Sequence, residues 1–211
     1  MGYVTKVAGD AAIGVGVSET SEGLKVISEP GCAAAIWQRR PEPEIQDWLD
    51  QIDPARLPKG RVILRPDEIK TAVSRLCDEA DLPKGRERDW LSADIAQLAA
   101  QFNALVSSPY MRLRLDVVTT NMCRKFHIDS VMARLICTYR GTGTQYGVSS
   151  DGTDPEQIAT VPTGAPVILR GRLWPESPAS GLLHRSPPIE GSGETRLVLV
   201  LDPVFDLEGE F

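Results

Sequence analysis

The sequence predicts an α+β protein with a double-stranded β-helix, a jelly-roll or cupin-like barrel, in its C-terminal half and bracing helices in its N-terminal half. Two observations lead to this fold class. Apolar residues recur with a period of about 3.6 before Pro109 and with a period of about 2 after it. The strand-like segments after Pro109 also have no helical stretches between them, which favours antiparallel pairing over βαβ units.

Length and charge restrict the classes of protein to consider. The chain has 211 residues and a formal net charge of -6. We expect a single domain over residues 1–211, with a mainly helical part with short strands in residues 1–109 and the barrel core in residues 110–211. The acidic charge argues against nucleic acid as a partner, because phosphate binding needs clustered Lys and Arg. Because no apolar run is long enough to span a bilayer and no secretion signal is apparent, we expect a cytoplasmic protein with no membrane partner.

The elements of the N-terminal half follow from local patterns. Short Val and Ile runs broken by glycine in the first thirty or so residues suggest one or two weak strands or a loose arm. A short amphipathic helix is expected after Pro41, because apolar residues stand at i, i+3, i+4 and i+7, namely Ile45, Trp48, Leu49 and Ile52. After a possible strand at residues 61–64, Pro66 is placed to begin a second helix, and the segment "DWLSADIAQLAAQFNALVSS" predicts a third.

The C-terminal half reads as strands. The segment "YMRLRLDVV" alternates apolar residues with Arg112, Arg114 and Asp116, as a half-buried strand does. Further strand-like runs are "SVMARLICTY", "APVILRG", "GLLHRS" and "TRLVLVLD". The four cysteines form no CxxC pair, so neither a zinc ribbon nor a dithiol redox motif is predicted, and free thiols are expected.

The two histidines of the chain are the strongest sign of chemistry. His127 and Asp129 are two residues apart, so on an extended strand both side chains leave the same face. His184 follows His127 by 57 residues (184 − 127), which leaves room for the intervening strands of a double-stranded β-helix. Two imidazoles and one carboxylate make the facial triad associated with non-haem Fe(II) oxygenases. The alternative is that both histidines are structural and hydrogen-bonded.

Two further residues are candidates for holding a carboxylate cosubstrate such as 2-oxoglutarate. Arg196 follows His184 by 12 residues (196 − 184), at the start of an apolar strand, and a guanidinium binds a carboxylate through two hydrogen bonds. Tyr139 or Thr138 can donate a hydrogen bond to the same carboxylate. The alternatives are an ordinary arginine at a strand edge and ordinary polar residues of a hairpin.

Four short blocks in order, "CRKFHID", "RLICTYRGTGTQY", "GLLHRSPPIEG" and "RLVLVLD", resemble a bacterial family known as domain of unknown function 1826. The resemblance implies a cupin-like or oxygenase-like barrel with a His/Asp/His site, and an occurrence near zinc-homeostasis genes such as those of metal-chaperone GTPases. The pattern is also similar to that of 2-oxoglutarate oxygenases, which implies that His127, Asp129 and His184 are the metal ligands and Arg196 the cosubstrate anchor. Val198 departs from the serine that many of those enzymes have two residues after the anchor.

The leading functional hypothesis is an Fe(II)-dependent and 2-oxoglutarate-dependent dioxygenase that hydroxylates a small-molecule or peptide substrate. The first alternative is a cupin-like protein that binds zinc or another divalent metal for storage, sensing or delivery, because the ligand set alone does not select the metal. The second is a metal-assisted hydrolase. A hydrolase needs another carboxylate as general base, for which Glu190 and Asp202 are available.

Overall fold

A computed structural model describes residues 7–8, 11–149 and 153–208 of the chain. The strands are β1 (Val7–Ala8), β2 (Ala11–Ala12), β3 (Gly14–Ser18), β4 (Cys32–Trp37), β5 (Gly60–Leu64), β6 (Tyr110–Val118), β7 (Ala133–Arg140), β8 (Gln145–Val148), β9 (Ala159–Thr160), β10 (Pro166–Arg170), β11 (Ala179–Ser180), β12 (Leu182–Arg185) and β13 (Arg196–Val204). The α-helices are α1 (Pro43–Gln51), α2 (Ile69–Glu79) and α3 (Arg86–Val106). Short 3₁₀ helices cover Ser21–Ser28, Pro54–Arg56 and Pro66–Glu68.

A large mixed sheet is the centre of the molecule. Its seven strands have the order β3-β4-β10-β7-β13-β6-β5, and two three-stranded sheets have the orders β12-β8-β9 and β1-β2-β11. Every described pair between two strands of the C-terminal half is antiparallel, which confirms that part of the expectation. The pairs β3–β4 and β2–β11 are parallel.

The two faces of the large sheet have different partners, as the alternation along β13 shows. Leu197, Leu199 and Leu201 face the helices and belong to the larger apolar core. Val198 and Val200 face the opposite way and pack in a second core with residues of β10 and β12. All nine residues of β13 are buried, because this strand is covered on both faces.

The helices form where the apolar periodicity predicts them. Each contributes a buried stripe to the larger apolar core: Ile45 and Leu49 on α1, Ile69, Val73 and Cys77 on α2, and Leu91, Ile95, Leu98 and Phe102 among those on α3. Pro66 begins a 3₁₀ turn that leads directly into α2, in keeping with its preference for the first helical position. No helix in the described part of the chain is long and apolar enough to cross a membrane.

The N-terminal segment contributes more than the weak strands or loose arm expected of its first thirty or so residues. Strands β3 and β4 lie in the large sheet, and β4 ("CAAAIW") is almost entirely buried between β3 and β10. Thirteen residues separate the two strands (31 − 19 + 1), enough for the crossover that parallel pairing requires. Both halves of the sequence therefore build one sheet.

The closed barrel predicted from the sequence is not formed by the described residues. The large sheet and the sheet β12-β8-β9 share no strand and no hydrogen-bonded ladder. They face each other across the second apolar core, to which Leu182 of β12 and Val198 of β13 both contribute. The architecture is a mixed α/β fold with a large mixed sheet, and its assignment as a jelly roll stays a prediction.

Candidate metal centre

Backbone pairing brings the two histidines together. The amide of His127 donates to the carbonyl of His184 and the amide of His184 donates to that of His127, both at 3.0 Å, in an isolated antiparallel bridge. Opposed residues of such a pair have neighbouring side chains on one face, and the two ring centroids are 4.6 Å apart. His184 lies on β12, whereas His127 lies in the connection between β6 and β7 and is extended only at the bridge itself.

Asp129 completes the cluster. Its Oδ1 is 3.5 Å from Nε2 of His127, and its Oδ2 is 3.0 Å from Nε2 of His184. One candidate ligand atom from each of the three residues lies within 4.8 Å of the other two. The structure therefore brings together all three ligands predicted from the sequence.

The hydrogen bonds of His127 favour a metal-binding tautomer. Its Nδ1 is 2.8 Å from the carbonyl oxygen of Lys125, which can only accept, so the proton of the neutral ring is on Nδ1 and the lone pair is on Nε2. Metal-bound histidines are commonly fixed by such a bond. The contact with Asp129 raises the pKa of His127, whereas burial lowers the pKa of His184 although Asp129 acts in the opposite direction.

Asp129 is ionised and has one oxygen without a hydrogen bond. Burial acts to raise the pKa of its carboxyl group, but the two imidazoles and Arg134 outweigh burial and hold this pKa well below its usual range. Arg134 Nη1 donates to Oδ1 at 2.5 Å, whereas Oδ2 is buried and has no hydrogen-bond partner among the described residues. A buried anionic oxygen beside two imidazole nitrogens fits a divalent cation, which would offset the cost of burying that charge.

A second carboxylate holds Arg134 in place. Asp202 on β13 accepts from Nε and Nη2 of Arg134 at 2.6 and 2.8 Å, so the guanidinium bridges Asp202 and Asp129. This contact also bears on the hydrolase hypothesis, because it engages both oxygens of Asp202. The other candidate base, Glu190, lies on an exposed loop and accepts from the Asn121 amide at 3.0 Å. The engagement of both Asp202 oxygens therefore weighs against Asp202 as the general base.

We expect Arg134→Lys to lower metal affinity by about 10- to 100-fold, the usual effect of removing a group that orients a ligand. A lysine keeps the positive charge but lacks the planar fork that contacts both carboxylates at once. Competition with a chromophoric chelator measures the metal affinity. Arg172→Lys, at an exposed arginine, is the control, and equal affinities in both variants would show that Arg134 does not position Asp129.

Arg196 is a buried cation without an anion. Its side chain is 1% exposed, Nε donates to the Thr142 carbonyl at 2.6 Å, and Nη2 lies 3.4 Å from Oγ1 of Thr138. Burial lowers its pKa to about 10, although Glu194 acts to raise it. No carboxylate among the described residues forms an ion pair with this guanidinium. Arg196 lines the same cavity as His127 and His184.

Tyr139 does not join this cavity. Its side chain is fully buried in the core between the large sheet and the helices, where its hydroxyl donates to Oδ2 of Asp94 at 2.6 Å and its ring packs edge-on against Trp90. A bulge in the β7–β13 pairing places Thr138 opposite Val198 and Arg140 opposite Leu197, so Tyr139 is the extra residue. This placement removes Tyr139 from the cofactor-binding residues expected from the sequence, and it leaves Thr138 beside Arg196.

Sequence reasoning did not single out the polar residues of β6 as part of the site. Arg114 and Asp116 form an ion pair at 3.0 Å and both line the cavity with the histidines. The signal was present in the alternation of "YMRLRLDVV", which places them on the polar face of a half-buried strand. The alternation does not show that this face borders the candidate metal centre.

The sequence model of the family described as "protein of unknown function (DUF1826)" matches residues 18–202. The chain belongs to this family. The match confirms the resemblance of the four short blocks and extends it across the helical half of this DUF1826 protein. Among curated proteins, no sequence matches this chain.

The fold of this DUF1826 protein is similar to that of solved structures. Dioxygenase for auxin oxidation 1 from Arabidopsis thaliana, in a binary complex with 2-oxoglutarate, has a TM-score of 0.50 and 11% identity, with 92% of this chain and 93% of that chain covered. The rice dioxygenase for auxin oxidation has a TM-score of 0.49 and 13% identity, with coverages of 90% and 82%. A prolyl-4-hydroxylase from Pseudomonas putida has a TM-score of 0.43 and 12% identity, with coverages of 89% and 100%. The first likeness shows a shared fold.

Proposed function

We propose that this protein is an Fe(II)- and 2-oxoglutarate-dependent oxygenase whose core corresponds to a double-stranded β-helix. The observation that carries the proposal is Arg196, a buried guanidinium in the same cavity as the two histidines, which forms no ion pair with any described residue. A buried unpaired charge is costly, so its presence favours an anionic ligand at this position. The fold shared with a 2-oxoglutarate-bound dioxygenase supports the same reading.

In this proposal His127, Asp129 and His184 would hold the metal, as the two-histidine, one-carboxylate ligand set of non-haem Fe(II) oxygenases does. With 2-oxoglutarate and O₂, bound Fe(II) supplies the oxidation that yields succinate and CO₂ and adds an oxygen atom to a substrate C–H bond. Asp129 would ligate the metal through Oδ2, because Arg134 engages Oδ1. Arg134 would thus act as a positioning residue for this carboxylate.

Arg196 would bind the distal carboxylate of 2-oxoglutarate, with a hydroxyl from the neighbouring strand. Thr138 lies directly opposite Val198 in the β7–β13 pairing, and its Oγ1 is near the guanidinium of Arg196. A hydroxyl from β7 can therefore take the part of the serine that similar enzymes have at the position of Val198. Thr138 would therefore supply the hydroxyl that Val198 lacks.

The cavity has to widen before the cosubstrate enters. Its volume is about 50 Å³, smaller than the roughly 150 Å³ that accommodates a benzene molecule in an engineered cavity. The Arg114–Asp116 pair belongs to the partly exposed lining of the cavity, with 29% and 25% of the side-chain surfaces accessible. Surface ion pairs are weak, so displacement of this pair costs little.

An anaerobic titration of metal-free protein with Fe(II) and then 2-oxoglutarate tests the proposal. We expect the weak visible charge-transfer band of a bidentate chelate in the wild type, and its loss in Arg196→Ala at unchanged iron content. Arg185→Ala is the matched control, since Arg185 lines the same cavity but contacts Gln145 and Phe126 instead. This variant should keep the band.

Iron binding without a band, or a band that persists in Arg196→Ala at the same cosubstrate concentration, would contradict the assignment. The first of these outcomes would favour the alternative of a divalent-metal or zinc-binding protein. The neighbours described above are two dioxygenases and a hydroxylase, so they give no support to that alternative.

A further inference from the structure

The turn between β7 and β8, "GTGT" at residues 141–144, is bound by Glu194 and by Arg196, the first residue of β13. The Thr142 amide donates to Oε1 of Glu194 at 2.6 Å, and the Thr142 hydroxyl donates to Oε2 at 2.9 Å. The carbonyl of Thr142 accepts from Nε of Arg196 at 2.6 Å. One turn residue therefore joins Glu194 to Arg196. We call Glu194, Thr142 and Arg196 the anchor clamp.

Glu194 is two residues from Arg196 in sequence, yet its two carboxylate oxygens bind Thr142 and leave the guanidinium without an ion pair. Its negative charge still acts to raise the pKa of Arg196. Glu194 thus offsets part of the cost of burying this cation without occupying its hydrogen-bond donors. A carboxylate suits this role, because it accepts two hydrogen bonds at once, whereas an amide side chain offers one acceptor and one donor group.

The anchor clamp depends on a close approach that Gly141 permits. Gly141 has a φ of +79°, and a Cβ at this position would lie 2.8 Å from Cγ of Arg196 and 2.8 Å from Oε1 of Glu194. Any larger residue would be strained in this conformation and would displace one of the two side chains. The Thr163 hydroxyl also donates to the Gly141 carbonyl at 2.7 Å. The turn is therefore packed directly against the residues that it joins.

The anchor clamp holds one nitrogen of the Arg196 guanidinium and leaves the other two available. Nε is bound to the Thr142 carbonyl, and Nη2 has only the long contact of 3.4 Å with Oγ1 of Thr138. Nη1 has no hydrogen-bond partner among the described residues. The terminal nitrogens of a guanidinium can bind a carboxylate through two parallel hydrogen bonds. Because Nε is fixed, less freedom remains to be lost when a carboxylate binds.

We propose that Glu194 is a positioning residue for the cosubstrate anchor, which acts through Thr142 to hold the Arg196 guanidinium with its terminal nitrogens available to a carboxylate. In this proposal Glu194 itself touches neither the metal nor the cosubstrate. The effect of Glu194 on 2-oxoglutarate rests on the proposed oxygenase function. Its hold on Arg196 does not, because the contacts within the anchor clamp involve this chain alone.

Hydrogen exchange of the Arg196 Nε–H in the full-length, metal-free protein tests the hold on Arg196. NMR of protein with isotope-labelled arginine observes this proton, and loss of its signal in Arg196→Lys assigns it. We expect Glu194→Ala to accelerate its exchange about tenfold or more, because the Thr142 carbonyl is no longer held against Nε. Glu194→Gln keeps one acceptor for Thr142, so its exchange rate should be intermediate.

The charge-transfer titration then measures the affinity of the same variants for 2-oxoglutarate. Glu194→Ala should bind 2-oxoglutarate about tenfold or more weakly with iron affinity unchanged. Thr142→Val, which loses the hydroxyl bond and keeps the amide bond, should weaken it less. Glu190→Ala is the control, at an exposed glutamate in the same connection between β12 and β13 that contacts Asn121 instead. A general loss of structure would weaken iron and 2-oxoglutarate together, so separate effects on the two affinities identify positioning.

The proposal is overturned if the Arg196 Nε–H exchanges at the same rate in Glu194→Ala and Glu190→Ala. It is also overturned if exchange accelerates while the affinity for 2-oxoglutarate stays at the wild-type value. Accelerated exchange together with a wild type that shows no charge-transfer band would refute the oxygenase and leave the hold on Arg196 standing. Glu194→Gln and Thr142→Val allow the same comparisons where Glu194→Ala does not fold.

Discussion

Asp129→Asn should reduce the affinity for Fe(II) by on the order of 100-fold or more, since even residues that only orient a ligand contribute 10- to 100-fold. The substitution removes the negative charge that the metal would neutralise while keeping nearly the same shape. Anaerobic titration of metal-free protein, read by competition with a chromophoric chelator, gives the affinity. Asp202 still pairs with Arg134 in this variant, so the fold should be retained.

Asp116→Asn is the matched control for Asp129→Asn. Asp116 lines the same cavity but is paired with Arg114 and lies outside the triad. Its replacement should leave metal affinity within about twofold, in line with the small energies of partly exposed ion pairs. Unchanged affinity in Asp129→Asn, with Asp116→Asn as reference, would rule out the triad as the metal centre.

Asp94→Ala should lower the free energy of unfolding by about 3–5 kcal/mol, the usual cost of removing one partner of a buried ion pair. Asp94 is 6% exposed and accepts from both terminal nitrogens of Arg39, at 2.5 and 2.6 Å, and from the hydroxyl of Tyr139. Without Asp94, the Arg39 guanidinium keeps its hydrogen bond to the Gly164 carbonyl and its stacking on Trp37 but has no carboxylate partner among the described residues. Urea unfolding measures the change.

Two control variants define how much the Arg39–Asp94–Tyr139 network contributes to the free energy of unfolding. Tyr139→Phe removes one hydrogen bond and should cost about 1–2 kcal/mol, without effect on 2-oxoglutarate binding, because Tyr139 faces the helices. Glu42→Ala, at an exposed pair with Arg86, should change stability little. A loss for Asp94→Ala no larger than that for Glu42→Ala would show that the buried pair does not stabilise the fold.

The hydrogen-bond partners of Asp94 and Asp129 differ, and this difference indicates a structural role for Asp94 and a metal-binding role for Asp129. Both oxygens of Asp94 accept hydrogen bonds from Arg39 or Tyr139, so its charge is neutralised within the chain. Asp129 has one satisfied oxygen, Oδ1, whereas its buried Oδ2 has no hydrogen-bond donor among the described residues. A fully satisfied network needs nothing further. The Oδ2 of Asp129 lies 3.0 Å from Nε2 of His184 and fits a cation instead.

The periodicity of apolar residues predicted the helices and strands that bury one face only. The stripes of α1, α2 and α3 and the alternation of β6 are local consequences of one face meeting the core, so a short window of sequence contains them. The triad could also be predicted, because a chain with two histidines leaves few ways to build it.

Strand β4, which is almost entirely buried, shows no alternation of buried and exposed residues. β4 is alanine-rich, and alanine has little strand preference, so its central place in the sheet depends on its neighbours β3 and β10. Arg134 contacts Asp129, which is 5 residues away in sequence, and Asp202, which is 68 residues away. No local window shows that the longer contact exists.

Periodicity and the chemistry of a few side chains are enough to predict the helices, the antiparallel strands of the C-terminal half and the residue types of the candidate metal centre. The pairing of His127 with His184 and of Arg61 with Arg114 becomes visible only in the folded chain. The same is true of Tyr139, which faces the helices, and of Arg196, which is buried without an ion-pair partner among the described residues. These placements depend on strand register, and that of Tyr139 also on the bulge in the β7–β13 pairing. The packing of the whole sheet fixes the register, since a shift of one residue would turn every side chain to the other face.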